Sequence, residues 1–371
     1  MTRSFLLFFA SLVTLHLSSF AQAAGLVSLS GGNAYTYTSS VSAAELSGLT
    51  YSGVGSTYYA VSDAGGNEKT LFEMDITLGG SGVIQSANVD SAIALGDAGA
   101  VSDAEGVTLG PGGDVFVAYE GSMNIARFAA LPSGAYSATM TPPAPLTVAK
   151  RSIKSFLTLN FTVGLESLAY SPSDGMLWTA NEEATQDDGP LSSTANGTVV
   201  RLAKIDPATS ASVQYAYEVF AAQGFTPGFG SSGLADLAVL PNGTVLSLER
   251  AFGASGLTGR STFSIYELDF SGANDISAVT DASSVLAQHR VGKTLLDTVV
   301  FTGSAPANFE GLTIGPQIDG GDYGLLLISD DGGGAPAQVY SYRLTLTPEP
   351  VSFGLAGIFL CGWLCAGFRR G

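Results

Sequence analysis

Carboxylates stand at the entry of apolar segments in this sequence. Glu310 in NFEGLTIGP (308–316) and Glu105 in DAEGVTLGP (103–111) each precede a glycine and a run typical of a buried strand. Clusters of Asp and Glu oxygens suit hard cations such as Ca²⁺, and a bound divalent ion can activate water and stabilise charge on a phosphoryl group. The pattern therefore indicates metal-assisted hydrolysis as candidate chemistry, provided that the fold brings the carboxylates together.

The acidic entry belongs to a phrase that occurs five times. Each copy has an apolar strand, a turn rich in Gly, Pro, Asn or Asp, and a second apolar strand that ends near an acidic residue. Steps of 58, 61, 69 and 75 residues separate the copies when they are aligned on Ser47, Glu105, Glu166, Ala235 and Glu310. A third strand of alternating pattern follows each copy. Strand repeats at this period predict an all-β fold, a β-propeller.

The repeats predict five blades directly, and two stretches without the phrase, 131–163 and 271–305, leave room for a sixth. The segment 25–38 is typical of a strand, and it could complete the last blade by pairing with QVYSYRL (338–344). A pair of β-sandwiches is the alternative fold. That alternative does not explain why carboxylates recur in phase with the first strand.

In a propeller the first strand of each blade lines the axial channel, so residues at its entry and at the end of the second strand should gather at one mouth. The predicted constellation is Asp63, Glu105, Glu120, Glu166, Glu182, Glu249, Glu310, Asp330 and Asp331. A structural role stays open for each Glu before a Gly, because such a carboxylate could accept backbone N–H groups of the adjacent blade. The acidic, Gly-containing loops 62–68, 182–189 and 329–334 are interpreted as solvated, with loose cation-binding turns as the alternative, although none matches the EF-hand spacing.

Roles follow from the chemistry of each group. The candidate Ca²⁺ ligands are Asp63, Glu105, Glu120, Glu249, Asp330 and Asp331. The candidate catalytic residues are Glu166, Glu182, Glu310 and Arg250, the last as a phosphate contact. Further cations that could contact phosphate are Arg127, Arg151 and Lys154. This cation set is sparse for a substrate with many phosphate groups, but it is compatible with phosphoesters in general.

The net charge and the number of histidines argue against several classes of function. The net charge of −17 argues against nucleic acid as a partner, because phosphate backbones need Lys and Arg patches. No G-x-S-x-G elbow occurs, and His289 is the one histidine after residue 23. A Ser-His-Asp triad would depend on that residue, which lies outside the repeats, and a His-rich zinc site is excluded.

Both ends of the chain read as sorting signals that flank one domain at 24–347. Residues 1–23 have a basic start, the apolar run SFLLFFASLVTLHL and AQA at the cleavage position, which predicts a signal peptide. At 348–371, Pro-Glu-Pro precedes 18 uncharged residues and a terminal Arg pair, which predicts a single transmembrane helix. A plain tail anchor is the alternative reading.

This tail resembles the PEP-CTERM sorting signal of Gram-negative bacterial envelope proteins. The resemblance implies export to the cell envelope or beyond, transient anchoring in the inner membrane, and processing by an exosortase as a partner.

The body of the chain resembles the phytase-like family, also described as esterase-like activity of phytase. The motifs that carry the resemblance are GLESLAYSPSDGMLWTANEEATQDDG (164–189), TVVRLAKIDPATS (198–210), GLADLAVLPNGTVLSLERAFG (233–253), IYELDFSGANDIS (265–277) and NFEGLTIGP with LLLISDD (308–331). The resemblance implies an exported β-propeller with phosphoesterase-type activity. It marks as candidate positions Glu166, Asn181, Glu182, Asp236, Glu249, Arg250, Glu310 and Asp330. The alternative is a non-catalytic propeller that acts as a binding or structural module of the envelope or exopolysaccharide matrix.

Overall fold

The computed structural model describes residues 26–147 and 164–347, and these residues form β-strands and short 3₁₀ turns. The strands in chain order are β1 (Val27–Thr36), β2 (Thr38–Ser39), β3 (Leu46–Tyr51), β4 (Thr57–Ser62), β5 (Thr70–Leu78), β6 (Ile84–Ala94), β7 (Ala104–Leu109), β8 (Val115–Tyr119), β9 (Asn124–Phe128), β10 (Tyr136–Met140), β11 (Leu165–Tyr170), β12 (Leu177–Asn181), β13 (Thr198–Ile205), β14 (Ser212–Val219), β15 (Gly230–Val239), β16 (Val245–Ser255), β17 (Thr258–Asp269), β18 (Gly292–Gly303), β19 (Asn308–Gln317), β20 (Tyr323–Asp330) and β21 (Gln338–Leu346). The 3₁₀ turns are Pro111–Gly113, Ala282–Ser284, Ala287–His289, Asp319–Gly321 and Gly332–Gly334.

These strands form five sheets, which we number as blades in chain order. From the channel outward the blades are β3–β4–β5–β6, β7–β8–β9–β10, β11–β12–β13–β14, β15–β16–β17–β18 and β19–β20–β21–β1. The short strand β2 adds to the edge of β6 in blade 1. The first strands contact one another in the order β3, β7, β11, β15, β19 and back to β3, so the ring is closed.

The N-terminal strand completes the last blade, as predicted. Strand β1 pairs antiparallel with β21, from Val27 opposite Leu346 to Thr36 opposite Gln338. The stretches considered for a sixth blade instead supply β10 and β18, which are the outer strands of blades 2 and 4. The described residues therefore form five blades rather than six or a pair of sandwiches.

Several predicted features lie outside the described residues. They are the signal peptide at 1–23, the PEP-CTERM tail at 348–371, Arg151 and Lys154. Within 26–147 and 164–347, no helix has the length and apolar character needed to cross a membrane.

The core lies between adjacent blades. Phe263 of blade 4 packs edge-on against Phe309 of blade 5, with ring centroids 5.2 Å apart. The first strands are covered on both faces by their neighbours, so β7 and β11 are buried at every position except the last. This double coverage explains why the first strands read as continuous apolar runs rather than as alternating ones.

Each first strand carries a β-bulge at the position on which the repeats align. In blade 2, Ala104 pairs with Tyr119 and Gly106 with Ala118, which leaves Glu105 unpaired. A bulge redirects the side chain of the extra residue and often lies beside an active site. The equivalent unpaired positions include Ser47, Glu166, Ala235 and Glu310.

The glycine after the bulge allows the blades to approach closely. A Cβ atom at Gly106 would lie 2.6 Å from the backbone nitrogen of Leu168 in blade 3, and one at Gly311 would lie 2.4 Å from the carbonyl oxygen of Ser47 in blade 1. No side chain fits at either position. The two residues of the repeated Glu-Gly pair therefore have different roles. The glycine allows adjacent blades to pack closely, and the bulge changes the direction of the glutamate side chain.

Candidate functional site

Two tiers of side chains meet at one mouth of the channel. The first tier consists of the bulged residues Ser47, Glu105, Glu166, Ala235 and Glu310. The second tier comes from the second strands, at the equivalent positions Asp63, Glu120, Glu182, Arg250 and Asp330. The seven carboxylates of these tiers and Arg250 line a cavity of about 930 Å³. Most of the predicted constellation is therefore brought together.

Arg250 neutralises one side of the cluster. Its Nη1 lies 2.6 Å from Oε1 of Glu310, and its Nη2 lies 3.0 Å from Oε1 of Glu182 and 3.6 Å from Oε1 of Glu166. Blade 4 supplies this cation and has Ala235 where blades 2, 3 and 5 have glutamate. The guanidinium of Arg250 thus links blades 3, 4 and 5 by charge.

Within 26–147 and 164–347, no such cation lies on the side of the cluster toward blades 1 and 2. Asp63, Asp103 and Glu105 offer oxygens that all lie within 4.8 Å of one another. Among the residues that the structure describes, no hydrogen-bond donor or cation reaches the carboxylate of Glu105, which is only 9% exposed. The Oδ1 atom of Asp63 is likewise buried without a partner. These oxygens have the character of cation ligands.

A second group of carboxylates lies beside the first. Glu120, Glu166 and Glu182 also offer oxygens within 4.8 Å of one another, and all three side chains are buried. Two of them share Arg250, so this group is partly neutralised.

Burial and mutual repulsion raise the pKa values of these acids. Burial, followed by the charges of Glu310 and Asp330, raises the pKa of Asp63 to about 8. Burial raises the pKa of Glu310 to about 7, although Arg250 opposes this shift. The pKa values of Glu105, Glu120 and Glu166 are raised by burial first and by neighbouring carboxylates second. The cluster must therefore hold protons or a cation, because so many buried charges repel one another.

The model of the phytase-like family, described as esterase-like activity of phytase, matches residues 42–333. The chain belongs to the phytase-like family. The matched range contains all five first strands and every residue of the two tiers. No curated protein matches the sequence.

Solved structures similar to this phytase-like chain include two propeller enzymes of low identity. One is the PQQ-bound aldose sugar dehydrogenase from Streptomyces coelicolor, with 13% identity, a TM-score of 0.37, and coverage of 85% of this chain and 99% of that one. Another is virginiamycin B lyase from Staphylococcus aureus, with 10% identity, a TM-score of 0.34, and coverage of 85% and 99%. No role in the phytase-like chain is inferred from either.

Two predicted ligands of the phytase-like chain do not line the cavity. Glu249 pairs with Leu234, one residue before the position of the second tier, so strand alternation turns it away from Arg250. Its carboxylate instead pairs with Lys293 and accepts the hydroxyl hydrogen of Tyr217. The carboxylate of Asp331 accepts the backbone N–H of Glu45. Grouping these two with the mouth was wrong.

Asp236 performs the fastening role that was considered for the glutamates. It lies one residue after the bulge of blade 4, and its carboxylate accepts the backbone N–H of Leu312 at 2.7 Å and that of Leu168 at 3.4 Å. These partners belong to blades 5 and 3, so one buried side chain joins three first strands. By contrast, Glu105 accepts no such backbone bond among the described residues.

The remaining candidates lie apart from the cluster. Arg127 pairs with Asp114 and stacks on Phe116, and the amide of Asn181 donates to the carbonyl of Leu146. His289 ends a short 3₁₀ turn and does not line the cavity. The structure adds three charged cavity residues that were not selected from the sequence, Asp103, Glu183 and Arg260. Asp103 lies two residues before Glu105 in the sequence DAEG, and this proximity could have indicated that it belongs to the same site.

Proposed function

We propose that this phytase-like protein is an exported, metal-dependent phosphoesterase that binds a divalent cation, Ca²⁺ in particular, at the carboxylate mouth of its channel. The observation that supports the proposal is the trio Asp63, Asp103 and Glu105, whose oxygens converge and which form no ion pair with any Lys or Arg that the structure describes. Oxygen-only ligation by several carboxylates is typical of Ca²⁺ sites. Family membership makes an esterase-type reaction the natural chemistry for this cavity.

The energetic argument concerns the buried charges. Packing several ionised carboxylates into one cavity is unfavourable, because each one is desolvated and repelled by the others. Arg250 forms ion pairs with Glu166, Glu182 and Glu310, and it lies farther from Asp63 and Glu105. A divalent ion between Asp63 and Glu105 would offset the rest, so the protein has a strong electrostatic reason to bind one.

Each group of residues has a defined task in the proposed reaction. When bound, Ca²⁺ would supply electrostatic stabilisation of phosphoryl oxygens and a more acidic water molecule. The trio Asp63, Asp103 and Glu105 would hold the cation. Burial, followed by the charges of Glu182 and Asp103, raises the pKa of Glu120, so this residue could donate a proton to a leaving oxygen. Arg250 would hold Glu182 in position through their ion pair.

A non-catalytic role as a binding or structural module of the envelope or exopolysaccharide matrix is the second candidate. The observation in its favour is that Arg250 already contacts three carboxylates, which leaves it little capacity to bind phosphate. Both candidates share the proposal of export by the segment 1–23 and sorting by 348–371. The N-terminal residue of the mature protein, read by mass spectrometry, should be Ala24; an intact Met1 would contradict export.

Calcium should stabilise the folded protein and support hydrolysis of a generic ester such as p-nitrophenyl phosphate. At a free concentration of 100 times Kd, a ligand that binds only the folded state adds about 2.7 kcal/mol to the free energy of unfolding. Glu105→Gln should weaken Ca²⁺ binding about tenfold or more, because it removes a charged ligand. Isothermal calorimetry, thermal unfolding and turnover with Ca²⁺ and with chelator measure these effects.

The matched control is Glu73→Gln, since Glu73 lies in β5 away from the cavity and should not change Ca²⁺ affinity. Stabilisation by Ca²⁺ without turnover of any ester, across pH and divalent metals, would favour the binding module. If Ca²⁺ neither stabilises the protein nor supports turnover, both the metal site and the enzymatic function are contradicted.

A further inference from the structure

One cation in the cavity has no carboxylate partner. The structure describes nine Lys and Arg side chains, and eight of them form ion pairs with Asp or Glu. The eight are Lys69, Arg127, Arg201, Lys204, Arg250, Arg290, Lys293 and Arg343. Arg260 is the ninth, and in a chain with a net charge of −17 its lack of an acidic partner is unexpected.

Arg260 is held in place without being neutralised. Its guanidinium lies over the ring of Phe225, with Cζ 5.4 Å from the ring centroid. Its Nε atom is buried and has no hydrogen-bond partner among the described residues. A buried donor without a partner is rare in folded proteins and indicates a missing acceptor. Arginine is also the side chain best suited to bind phosphate or carboxylate oxygens through paired N–H groups.

The position of Arg260 relates it to the carboxylate cluster. Arg260 pairs with Gly253 across the hairpin of β16 and β17, and Gly253 stands three residues after Arg250. At about 3.4 Å per residue, the two arginines are separated by about 10 Å along the strand. Both side chains line the same cavity, with Arg260 nearer to the hairpin turn at its rim.

The cavity wall near this hairpin has a large apolar part beside the polar side chains of Thr258 and Ser261. Phe229, Phe252, Leu257 and Pro306 line this part of the cavity. Leu257 is fully exposed at the hairpin turn, and Phe229 is 48% exposed. Exposed apolar side chains beside a buried polar group are typical of a ligand site, because the apolar part supplies contact area and the polar group supplies orientation.

We propose that Arg260 binds a second anionic group of the substrate, while the ester that reacts lies at the carboxylate mouth. This inference rests on the proposed phosphoesterase function and specifies its substrate class. The substrate is a phosphoester with a further phosphate or carboxylate group, joined to the reacting ester by an apolar segment. Arg260 then determines specificity and Arg250 organises the cluster.

The stacking on Phe225 does not by itself account for Arg260. Arg127 has the same arrangement, with Cζ 5.5 Å from the ring centroid of Phe116, yet it also pairs with Asp114. A stacked arginine in this protein therefore still takes an anionic partner. Arg127 lies outside the cavity, which makes it the matched control.

The test compares hexanediol bisphosphate with hexyl phosphate, which has the same apolar chain and a single anionic group. Their affinities for the full chain are measured by isothermal calorimetry with Ca²⁺ and with chelator. We expect the wild type to bind the bisphosphate more tightly. Arg260→Gln should weaken bisphosphate binding by about 10- to 100-fold, the effect of one charge-assisted contact, and should leave hexyl phosphate unchanged.

Arg127→Gln should keep the wild-type preference, and Arg260→Lys should keep part of it because the charge remains. Circular dichroism checks whether each variant is folded. If Arg260→Gln does not fold, the preference for the bisphosphate is measured with Arg260→Lys instead. Equal affinity of the wild type for the two compounds, or an unchanged preference in Arg260→Gln, would overturn the proposal. A preference that depends on Arg260 without hydrolysis of either ester would support the anion site and reject the phosphoesterase.

Discussion

Asp188→Ala should lower the free energy of unfolding by about 3–5 kcal/mol, because it leaves the charge of Arg201 buried without its partner. Both side chains are inaccessible to solvent. The carboxylate of Asp188 accepts from Nε and Nη2 of Arg201, each at 2.7 Å, and from the backbone N–H of Ala282 at 2.7 Å. Arg201 also donates to the carbonyls of Ile276 and Val279.

This network holds the loop that begins at Glu182. Asp188 lies in that loop and Arg201 in β13, while 276–282 belongs to the connection between β17 and β18. Loss of the carboxylate should therefore release two segments from blade 3. The position of Glu182 in the cluster depends on the same loop, so Ca²⁺ affinity should fall together with stability.

Denaturant unfolding monitored by fluorescence measures the effect. The control is Asp114→Ala, which removes the partner of the half-exposed Arg127 and should cost less than about 1 kcal/mol. The double variant Asp188→Leu/Arg201→Met should recover much of the loss, because replacing a buried pair by apolar groups removes the unpaired charge. A cost for Asp188→Ala equal to that of Asp114→Ala would show that the pair does not stabilise the fold.

Most of the architecture could be predicted from the sequence because the first strands are buried on both faces. Their apolar runs and the turns that follow repeat clearly enough to count five blades. The outer strands are less distinct: β10 and β18 are largely exposed, and a sixth blade therefore stayed possible in those stretches. The acidic loop at 182–189 was interpreted as solvated, which is wrong for Glu182, Glu183 and Asp188, because all three are buried. The partners of Asp188 are Arg201 in the next strand and Ala282, which is distant in sequence.

The composition of the cluster was predictable, but its exact membership was not. Seven carboxylates recur in phase with the first two strands, and this was enough to group Glu105, Glu166 and Glu310. The β-bulges could not be seen in the sequence, although they decide which side chain turns into the channel. A shift of one residue moves a side chain to the other face of a strand. For this reason Glu249 was assigned to the channel mouth, although Arg250 occupies the position in blade 4 that is equivalent to Glu182 in blade 3.

Without calcium, the free energy of unfolding should decrease as pH rises from about 5 to about 8. In the folded protein the pKa of Asp63 is about 8 and that of Glu310 is about 7, whereas unfolded carboxyls titrate near 4. Between these values the folded state holds protons that the unfolded chain has released. Each such proton contributes a slope of about −1.4 kcal/mol per pH unit, so stability is greatest at the acidic end of this window.

Calcium should abolish this decrease of the free energy of unfolding with pH, because a cation bound between Asp63 and Glu105 replaces the protons that these buried carboxylates hold. Denaturant unfolding between pH 5 and pH 8, in chelator and in excess Ca²⁺, measures both slopes. Asp63→Asn should reduce the slope in chelator by up to one proton. Acids with a lowered pKa, such as Asp275, are already ionised in this window and do not contribute.

A stability that does not change with pH in chelator would mean that the carboxylates remain ionised without a cation, and the electrostatic reason for metal binding would disappear. A decrease that persists unchanged in excess Ca²⁺ would mean that the cluster holds protons but does not bind this ion. The first result would imply that solvent and Arg250 suffice to stabilise the ionised carboxylates. The second would imply that the cavity binds protons rather than Ca²⁺. Only a decrease that calcium abolishes agrees with a metal centre at the channel mouth.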